Sequence, residues 1–119
     1  MQSDALEPTG ALTIRTLAMP ADTNPAGDIF GGWVMSQMDI AGAIAAIERA
    51  KGRVVTVAVE GMTFISPVKV GDILCVYTTI EKVGTTSVTV AVEAWARRQS
   101  CYWPAARKRP GQRQAWRRR

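Results

Sequence analysis

Four residues between positions 24 and 39 carry groups that could perform acyl transfer. They are a loop asparagine, two glycines where a helical pattern begins and a carboxylate two turns further on: Asn24, Gly31, Gly32 and Asp39. The first N–H groups of a helix lack internal partners and point out of its positive end, and glycine lets a substrate approach that backbone closely. A developing oxyanion would be stabilised there, and a crowded carboxylate nearby would suit general-base chemistry.

Each of these residues also has a structural explanation. Asp39 could be solvated, and the glycines could serve only to turn the chain. Asn24 stands directly before Pro25, where asparagine is a common turn former. Asp28 lies just before the helix and could cap it or order the loop. The spacing alone leaves these alternatives open.

The chain contains no histidine, and this excludes several mechanisms. A Ser-His-Asp triad, a Cys-His pair and a His-ligated metal site all require an imidazole. The sequence also lacks a Walker loop and a GxGxxG motif after a strand, so nucleotide-dependent and hydride-transfer chemistry have no support. We expect no cofactor, no bound metal and a carboxylate as the reacting group.

The pattern of apolar residues predicts one long helix and several strands. Apolar residues recur at helical spacing from Trp33 onward, and Gly52 marks the end of the helix. Runs rich in β-branched residues predict strands at Ala11–Thr16, Arg53–Glu60, Met62–Ser66, Ile73–Ile80 and Thr86–Ala96. No second helical pattern separates the later strands. The predicted fold class is therefore α+β, with an antiparallel sheet wrapped around one long central helix.

Four sequence strings occur in a recognisable order. They are RTLAMPADTN, GDIFGGWVMSQMD, GRVVTVAVEGMTFISPVKVGD, and KVGTTS followed by a VEAW strand. Together they resemble the hotdog-fold acyl-CoA thioesterases, most of all the YciA-like branch of cytosolic acyl-CoA hydrolases. The resemblance covers Ile14 to Ala96 and implies the hotdog fold.

The resemblance implies hydrolysis of acyl-CoA to a free fatty acid and CoA, a reaction of fatty acid metabolism, at a site between two subunits. Asp39 of one subunit would face Asn24 and the glycine-bearing loop of the other. Asp39 would act as general base or as nucleophile, and Asn24 would position the water or the thioester. The N–H groups of Gly31 and Gly32 would hold the oxyanion. A hotdog module that binds acyl-CoA without turnover is the alternative.

Further residues are candidates for contact with the acyl-CoA substrate: Asp28, Phe30, Val59, Met62 and Phe64. The apolar members of this set could line an acyl channel, and they could equally belong to the core. Cys75 alternates along a predicted strand, which indicates a small buried side chain rather than a nucleophile. No disulfide framework is implied.

Length and composition bear on assembly and location. A chain this short buries a modest fraction of its surface alone, so we expect a homodimer or a higher homo-oligomer such as a trimer of dimers. No apolar run is long enough to span a bilayer, and the N-terminus is polar and acidic rather than signal-like. We expect a cytoplasmic protein without a membrane partner.

The charge of the chain divides sharply at Ala96. Residues 1–96 carry six Lys or Arg and ten Asp or Glu, whereas residues 97–119 carry nine Lys or Arg and no acid. This tail has no helical or strand period, and the resemblance ends before it. We therefore expect a polar segment 1–10, a hotdog domain 11–96 and a disordered tail 97–119. We also expect that the tail comes from a shifted reading frame and that it replaces the final strand of the sheet. Its arginines and tryptophans could also contact nucleic acid, a partner that we do not expect.

Overall fold

Antiparallel strands and a long helix form the described part of the chain. A computed structural model describes residues 7–59, 62–98, 101–107 and 114–118, the side chains of 56–59, 101, 102, 107 and 114–118 excepted. The helix is α1 (Gly31–Ala50), and the strands are β1 (Ala11–Leu17), β2 (Val54–Val59), β3 (Thr63–Phe64), β4 (Ile73–Val83), β5 (Ser87–Arg98), β6 (Cys101–Arg107) and β7 (Gln114–Arg118). All seven strands belong to one sheet, and every pairing is antiparallel. The predicted α+β class is confirmed.

Helix α1 begins at Gly31, two residues before the start that the apolar pattern predicts. The periodic pattern could not detect the first two helical residues because both are glycines without a side chain. The buried side of the helix repeats at the spacing of an amphipathic helix and consists of Val34, Met38, Ala41, Gly42, Ala46 and Ala50. This side packs against β4 and β5.

The helix ends at Ala50, one residue earlier than Gly52 suggests. Lys51 adopts the left-handed conformation, with φ 55°, and its N–H donates to the carbonyl oxygen of Ile47 at 2.8 Å. A non-glycine residue in this conformation carries a steric cost, which the closing hydrogen bond helps to offset. Lys51, and not Gly52, is therefore the residue that terminates the helix.

Strands β4 and β5 form the long central hairpin. The N–H of Gly84 donates to the carbonyl oxygen of Ser87 at 2.8 Å, which closes the predicted turn. Buried and partly exposed residues alternate along most of β5, as expected for a sheet with one face covered by a helix. Its buried residues Val88, Val90, Val92 and Ala94 belong to the same core as the buried side of α1. Cys75 is fully buried on β4, as predicted.

Residues of the basic tail contribute two strands to the sheet. Strand β6 pairs with β5 from Glu93 to Arg98, and β7 pairs with β5 from Ser87 to Val90. On their other edges, β6 pairs with β3 and β7 pairs with β2. Within residues 7–59, 62–98, 101–107 and 114–118, these are the pairings that join β2 and β3 to the rest of the sheet.

These strands differ from the expectation of a disordered tail and a missing final strand. Composition predicted a coil because the tail is rich in arginine and contains prolines. A long strand such as β5 has backbone N–H and C=O groups along both edges, however, and these groups need partners when they are buried. Pairing with the following segment satisfies them, and this requirement outweighs composition. The domain boundary at residue 96 stays a prediction.

Pro104 interrupts the regular ladder of β6. Proline has no N–H to donate, so within a sheet it is tolerated mainly at edges and bulges. The register between β5 and β6 shifts between Ala94 and Trp95, and Trp95 is the residue opposite Pro104. The irregularity therefore lies where the donor is missing.

Asp72 ties the start of β4 to the end of β5. Its carboxylate is 2% exposed and accepts hydrogen bonds from Nε and Nη2 of Arg98 at 2.7 Å each and from the N–H of Lys69 at 2.9 Å. Burial by itself would raise the pKa of Asp72. The hydrogen bonds and the positive charges of Arg98 and Lys69 outweigh burial and hold the pKa of Asp72 below its ordinary value.

We expect Arg98→Met to lower the free energy of unfolding by about 1.5–3 kcal/mol at pH 7, because it removes charge-assisted hydrogen bonds to a buried carboxylate. Since the folded pKa of Asp72 is depressed, the pair stabilises the protein above the unfolded pKa of about 4 and loses that effect as pH falls through the folded value. Thermal unfolding from pH 7 to pH 3, at fixed protein concentration, measures both effects.

Arg53→Met is the matched control, because it removes the same charge at an exposed position before β2. It should leave stability within about 0.5 kcal/mol of the wild type. An Arg98→Met protein that keeps the stability and the acid profile of the wild type would contradict this account of the pair.

Candidate active site

The loop before α1 closes around the side chain of Asn24. Its Oδ1 accepts hydrogen bonds from the N–H groups of Ala26 and Asp28 at 3.0 Å each. The N–H of Gly27 donates to the carbonyl oxygen of Asn24 at 2.9 Å, and the N–H of Asn24 donates to the carbonyl oxygen of Asp28 at 2.6 Å. Gly27 has φ 91°, a conformation that other residues rarely adopt. Asn24 is therefore a turn former, as one of the two alternatives held.

This turn fixes what Asn24 can offer to a ligand. Both backbone N–H groups must donate to an oxygen, so the hydrogen bonds themselves assign Oδ1 to the loop and Nδ2 to the opposite side. Within the described part of the chain, the Nδ2 group has no acceptor. Asn24 lines the pocket described below. It therefore presents hydrogen-bond donors there, and not an acceptor.

The N-terminus of α1 supplies two more donors. The N–H of Trp33 is satisfied by the carbonyl oxygen of Phe30 at 3.1 Å, and Phe30, at the cap position, has no side-chain oxygen to cap the helix. The N–H groups of Gly31 and Gly32 have no acceptor among the described residues. Unsatisfied N–H groups at a positive helix end form a site for an anion or an oxyanion.

A pocket of about 330 Å³ lies beside this helix start. It is lined by Asn24, Asp28, Ile29, Gly31, Val34, Phe64, Ile65, Ser66, Pro67, Val68 and Ala105. Ile29, Val34, Val68 and Ala105 are buried, whereas Phe64 and Ile65 are exposed. The pocket thus combines buried apolar residues with polar groups from the loop and the helix start.

The structure brings together four of the predicted site residues in this pocket: Asn24, Asp28, Gly31 and Phe64. The ring of Phe64 packs across Gly31, since a Cβ added to Gly31 would lie 3.4 Å from its Cζ. A Cβ at Gly32 would meet nothing within 4 Å, so its backbone is approachable.

Three predicted substrate contacts lie outside the pocket lining. Phe30 is exposed at the cap of α1. Met62 is partly buried and packs against the main core. Val59 belongs to β2, and its side chain lies outside the described part of the chain. Sequence reasoning missed Ile29, Val34, Val68 and Ala105, whose apolar character alone does not separate a pocket wall from the core.

Asp39 does not join this pocket within a single chain. It lies eight residues after Gly31, which places it about 12 Å further along the helix axis. The residue is exposed, so the expectation of a crowded carboxylate is wrong for one chain alone. The helix also carries exposed apolar side chains, namely Met35, Ile40 and Ile47. The described part of this chain leaves them uncovered.

Lys69 holds the loop of Asn24 to the sheet. Its ammonium contacts the Asp28 carboxylate, and the two residues also form a backbone bridge. Ile29, which follows Asp28, donates its N–H to the carbonyl oxygen of Val68 at 2.9 Å. Asp28 is therefore engaged in ordering the loop, which was one of the two explanations for it. No local pattern could pair residues separated by 41 positions.

The described residues include no cluster of three or more His, Cys, Asp or Glu side chains that could hold a metal ion. None of the described helices has the length and apolar character needed to cross a bilayer.

Comparison with known proteins decides the family. A family model described as the thioesterase superfamily matches residues 26–101, which include the Asn24 loop from Ala26 onward and the whole of α1. The chain belongs to this superfamily. The resemblance seen in the sequence strings is thereby confirmed.

Relatives agree with this assignment. Over 91 residues the chain is 64% identical to the acyl-CoA thioester hydrolase YciA of Escherichia coli K12, a match that covers 76% of this chain and 69% of that protein. The crystal structure of a hexameric thioesterase from Yersinia pestis superposes with a TM-score of 0.84 at 53% identity, covering 92% of this chain and 88% of that one.

A third relative carries informative mutants. The acyl-CoA hydrolase of Staphylococcus aureus, solved with butyryl coenzyme A, coenzyme A and coenzyme A disulfide, has a TM-score of 0.79 at 28% identity and covers 88% of this chain and 63% of that one. Its structures include alanine mutants of an asparagine, of an aspartate 15 residues later and of a threonine 17 residues after that.

We expect Gly27→Ala to loosen the turn around Asn24. The substitution forces a side chain into a left-handed conformation, at a cost of about 1–2 kcal/mol. Hydrogen exchange of the Ala26 and Asp28 amides, which donate to Asn24, should therefore become faster.

Gly10→Ala is the control, because Gly10 also has a positive φ, of 95°, but lies before β1 and away from the loop. It should cost at least as much stability, since a Cβ there would also meet the backbone of Thr78, without changing exchange at Ala26 and Asp28. Equal exchange at these amides in the two variants would show that Gly27 has no special part in holding Asn24.

Proposed function

We propose that this protein is an acyl-CoA thioesterase that hydrolyses the thioester to a free fatty acid and CoA. The observation that carries the proposal is a set of N–H donors without acceptors among the described residues, contributed by Asn24 and Gly31, which line a largely apolar pocket, and by Gly32, which follows Gly31 at the exposed start of α1. Such donors suit the oxygen of a thioester carbonyl, and the apolar pocket suits an acyl chain. The activities named for the relatives from three bacteria agree with it.

The donors would act on the carbonyl oxygen of the thioester. As a nucleophile adds to the carbonyl carbon, negative charge develops on this oxygen, and hydrogen bonds that point at it stabilise the transition state by about 3–4 kcal/mol per donor. Because Oδ1 of Asn24 is engaged by the loop, Asn24 would donate from Nδ2 to the thioester. This favours the thioester over the water as its partner.

Asp39 would complete the site from a second subunit. The exposed apolar side chains beside it, Met35, Ile40 and Ile47, favour contact with another copy. As a general base, Asp39 would take a proton from water while the water oxygen bonds to the carbonyl carbon. The C–S bond then breaks, and the proton passes to the departing thiolate. As a nucleophile, its carboxylate oxygen would bond to the carbonyl carbon while the C–S bond breaks and CoA leaves as the thiolate. Water would then cleave the resulting anhydride to the fatty acid and the free Asp39 carboxylate, and the proton released would pass to the thiolate.

Thr56 is a further candidate that sequence reasoning missed. Asn24, Asp39 and Thr56 are separated by 15 and 17 residues, the spacings of the three residues mutated in the Staphylococcus aureus enzyme. Thr56 belongs to β2, which follows α1. We propose, from this match in spacing, that Thr56 belongs to the site. A single sequence gives no signal for it, because threonine is common in strands.

The other predicted contact residues remain part of the proposal. Phe64 would cover the thioester end of the pocket, because its ring lies over Gly31. Phe30, Val59 and Met62 stay proposed contacts of the acyl or pantetheine parts of the substrate. Asp28 would act indirectly by ordering the loop with Lys69.

The assembly that fits this site is a homodimer or a larger assembly of dimers, such as the trimer of dimers that a hexamer would allow. A cytoplasmic location and the absence of a nucleic-acid partner stay predictions. The alternative of a non-catalytic binding module depended on a missing final strand. Strands β6 and β7 remove the reason for preferring it.

We expect Asp39→Asn to lower turnover of acyl-CoA by about a hundredfold or more, because the amide retains the size of the side chain but cannot accept the proton or attack the carbonyl. Release of CoA thiol measures the effect, and binding of acyl-CoA should survive. Glu48→Gln, the same chemical change at an exposed position of the same helix, is the control. A folded Asp39→Asn protein with near-normal turnover would place the chemistry elsewhere.

A mixing experiment tests whether two subunits share the site. Asn24→Ala and Asp39→Asn proteins should each be nearly inactive. After they are unfolded and refolded together in equal amounts, half of the dimers are mixed and hold one intact site of two, so turnover should return to about a quarter of the wild type. If Asn24 and Asp39 act within one chain, mixing restores nothing.

A further inference from the structure

Strand β6 forms part of the pocket wall. Ala105 lines the pocket, and its carbonyl oxygen accepts hydrogen bonds from the N–H groups of Ile65 at 2.8 Å and Ser66 at 3.4 Å. The hydroxyl of Ser66 donates to the carbonyl oxygen of Pro104 at 2.5 Å. The segment from Phe64 to Ser66, which forms the exposed side of the pocket, is therefore held in place by the tail strand.

Ala105 is one of the buried residues that line the pocket. It is 2% exposed, whereas Phe64 on the same pocket is 51% exposed. The other buried lining residues are larger, branched side chains: Ile29, Val34 and Val68. Ala105 has the smallest side chain of these four buried lining residues.

We propose that Ala105 sets the length of acyl chain that the pocket accepts. This inference rests on the proposed thioesterase function and adds a residue that determines specificity. Residue 105 lies beyond the segment, 26–101, that matches the family model. On this proposal, the acyl-chain preference depends on strand β6.

The size of the effect follows from hydrophobic burial. Each methylene group that leaves water for an apolar pocket favours binding about fourfold. Leucine has three more side-chain carbon atoms than alanine, so Ala105→Leu would displace up to three methylene groups of the substrate. For the longest chain that the wild type cleaves well, we expect kcat/KM to fall roughly 60-fold relative to butyryl-CoA.

The experiment measures CoA thiol release for a series of straight-chain acyl-CoAs, from acetyl to decanoyl, with the wild type, Ala105→Leu, Ala105→Val and Ala105→Gly. The optimum should move to shorter chains with valine and further with leucine, and to longer chains with glycine. Ala11→Leu makes the same change on the exposed surface of β1 and should leave the long-to-short ratio unchanged. Circular dichroism and light scattering check that each variant folds and assembles as the wild type does.

Two results would overturn the inference. One is the same chain-length profile in folded Ala105→Leu and wild type. The second result, which applies if Ala105→Leu does not fold, is a chain-length profile that is unchanged in both Ala105→Val and Ala105→Gly. A wild type that cleaves no acyl-CoA would instead contradict the proposed function. Binding of S-alkyl-CoA thioethers of increasing length would then still decide whether Ala105 limits the pocket.

Discussion

The structure depends on how the second edge of β5 is paired. One edge of this strand runs along β4, and the other is divided between β6 near its C-terminal end and β7 near its N-terminal end. Backbone groups at such an edge need partners when they are buried. Because β6 also holds β3 and β7 also holds β2, this pairing does more than satisfy β5. It fixes the position of Phe64 and of the pocket wall behind it.

The packing of α1 against the sheet sets the geometry of the N–H donors at its start. One side of α1 is buried against the sheet, and this fixes the direction in which its first N–H groups point. Phe30 provides no cap, so the N–H groups of Gly31 and Gly32 remain for a ligand. A serine or aspartate at the cap would satisfy one of these donors and stabilise the helix. The lack of such a cap residue fits a site in which the helix is less stable and its first N–H groups are left for a ligand.

Local patterns sufficed for much of the fold and part of the site. The helix, the central hairpin and the loop of Asn24 follow from periodicity, turn residues and glycine placement, which act over a few positions. The partners of Asp28 and the position of Ala105 depend on contacts between residues far apart in sequence. A single sequence does not show which distant residues are in contact. The surroundings of Asp39 depend on a second copy. The tail strands were missed because edge pairing outweighed an arginine-rich composition.

The tail contacts the candidate site in two places. In the pocket wall, β6 supplies Ala105. At the loop end, Arg98 binds the Asp72 carboxylate, which also accepts the N–H of Lys69, and the Lys69 ammonium contacts Asp28 in the turn around Asn24. Each contact in this series pairs a cation or an N–H donor with an oxygen acceptor, and together the contacts link the tail to the loop. A basic segment after an acidic domain can therefore support the loop electrostatically while its strands support the wall, and neither role requires the sequence of the tail to resemble that of a relative.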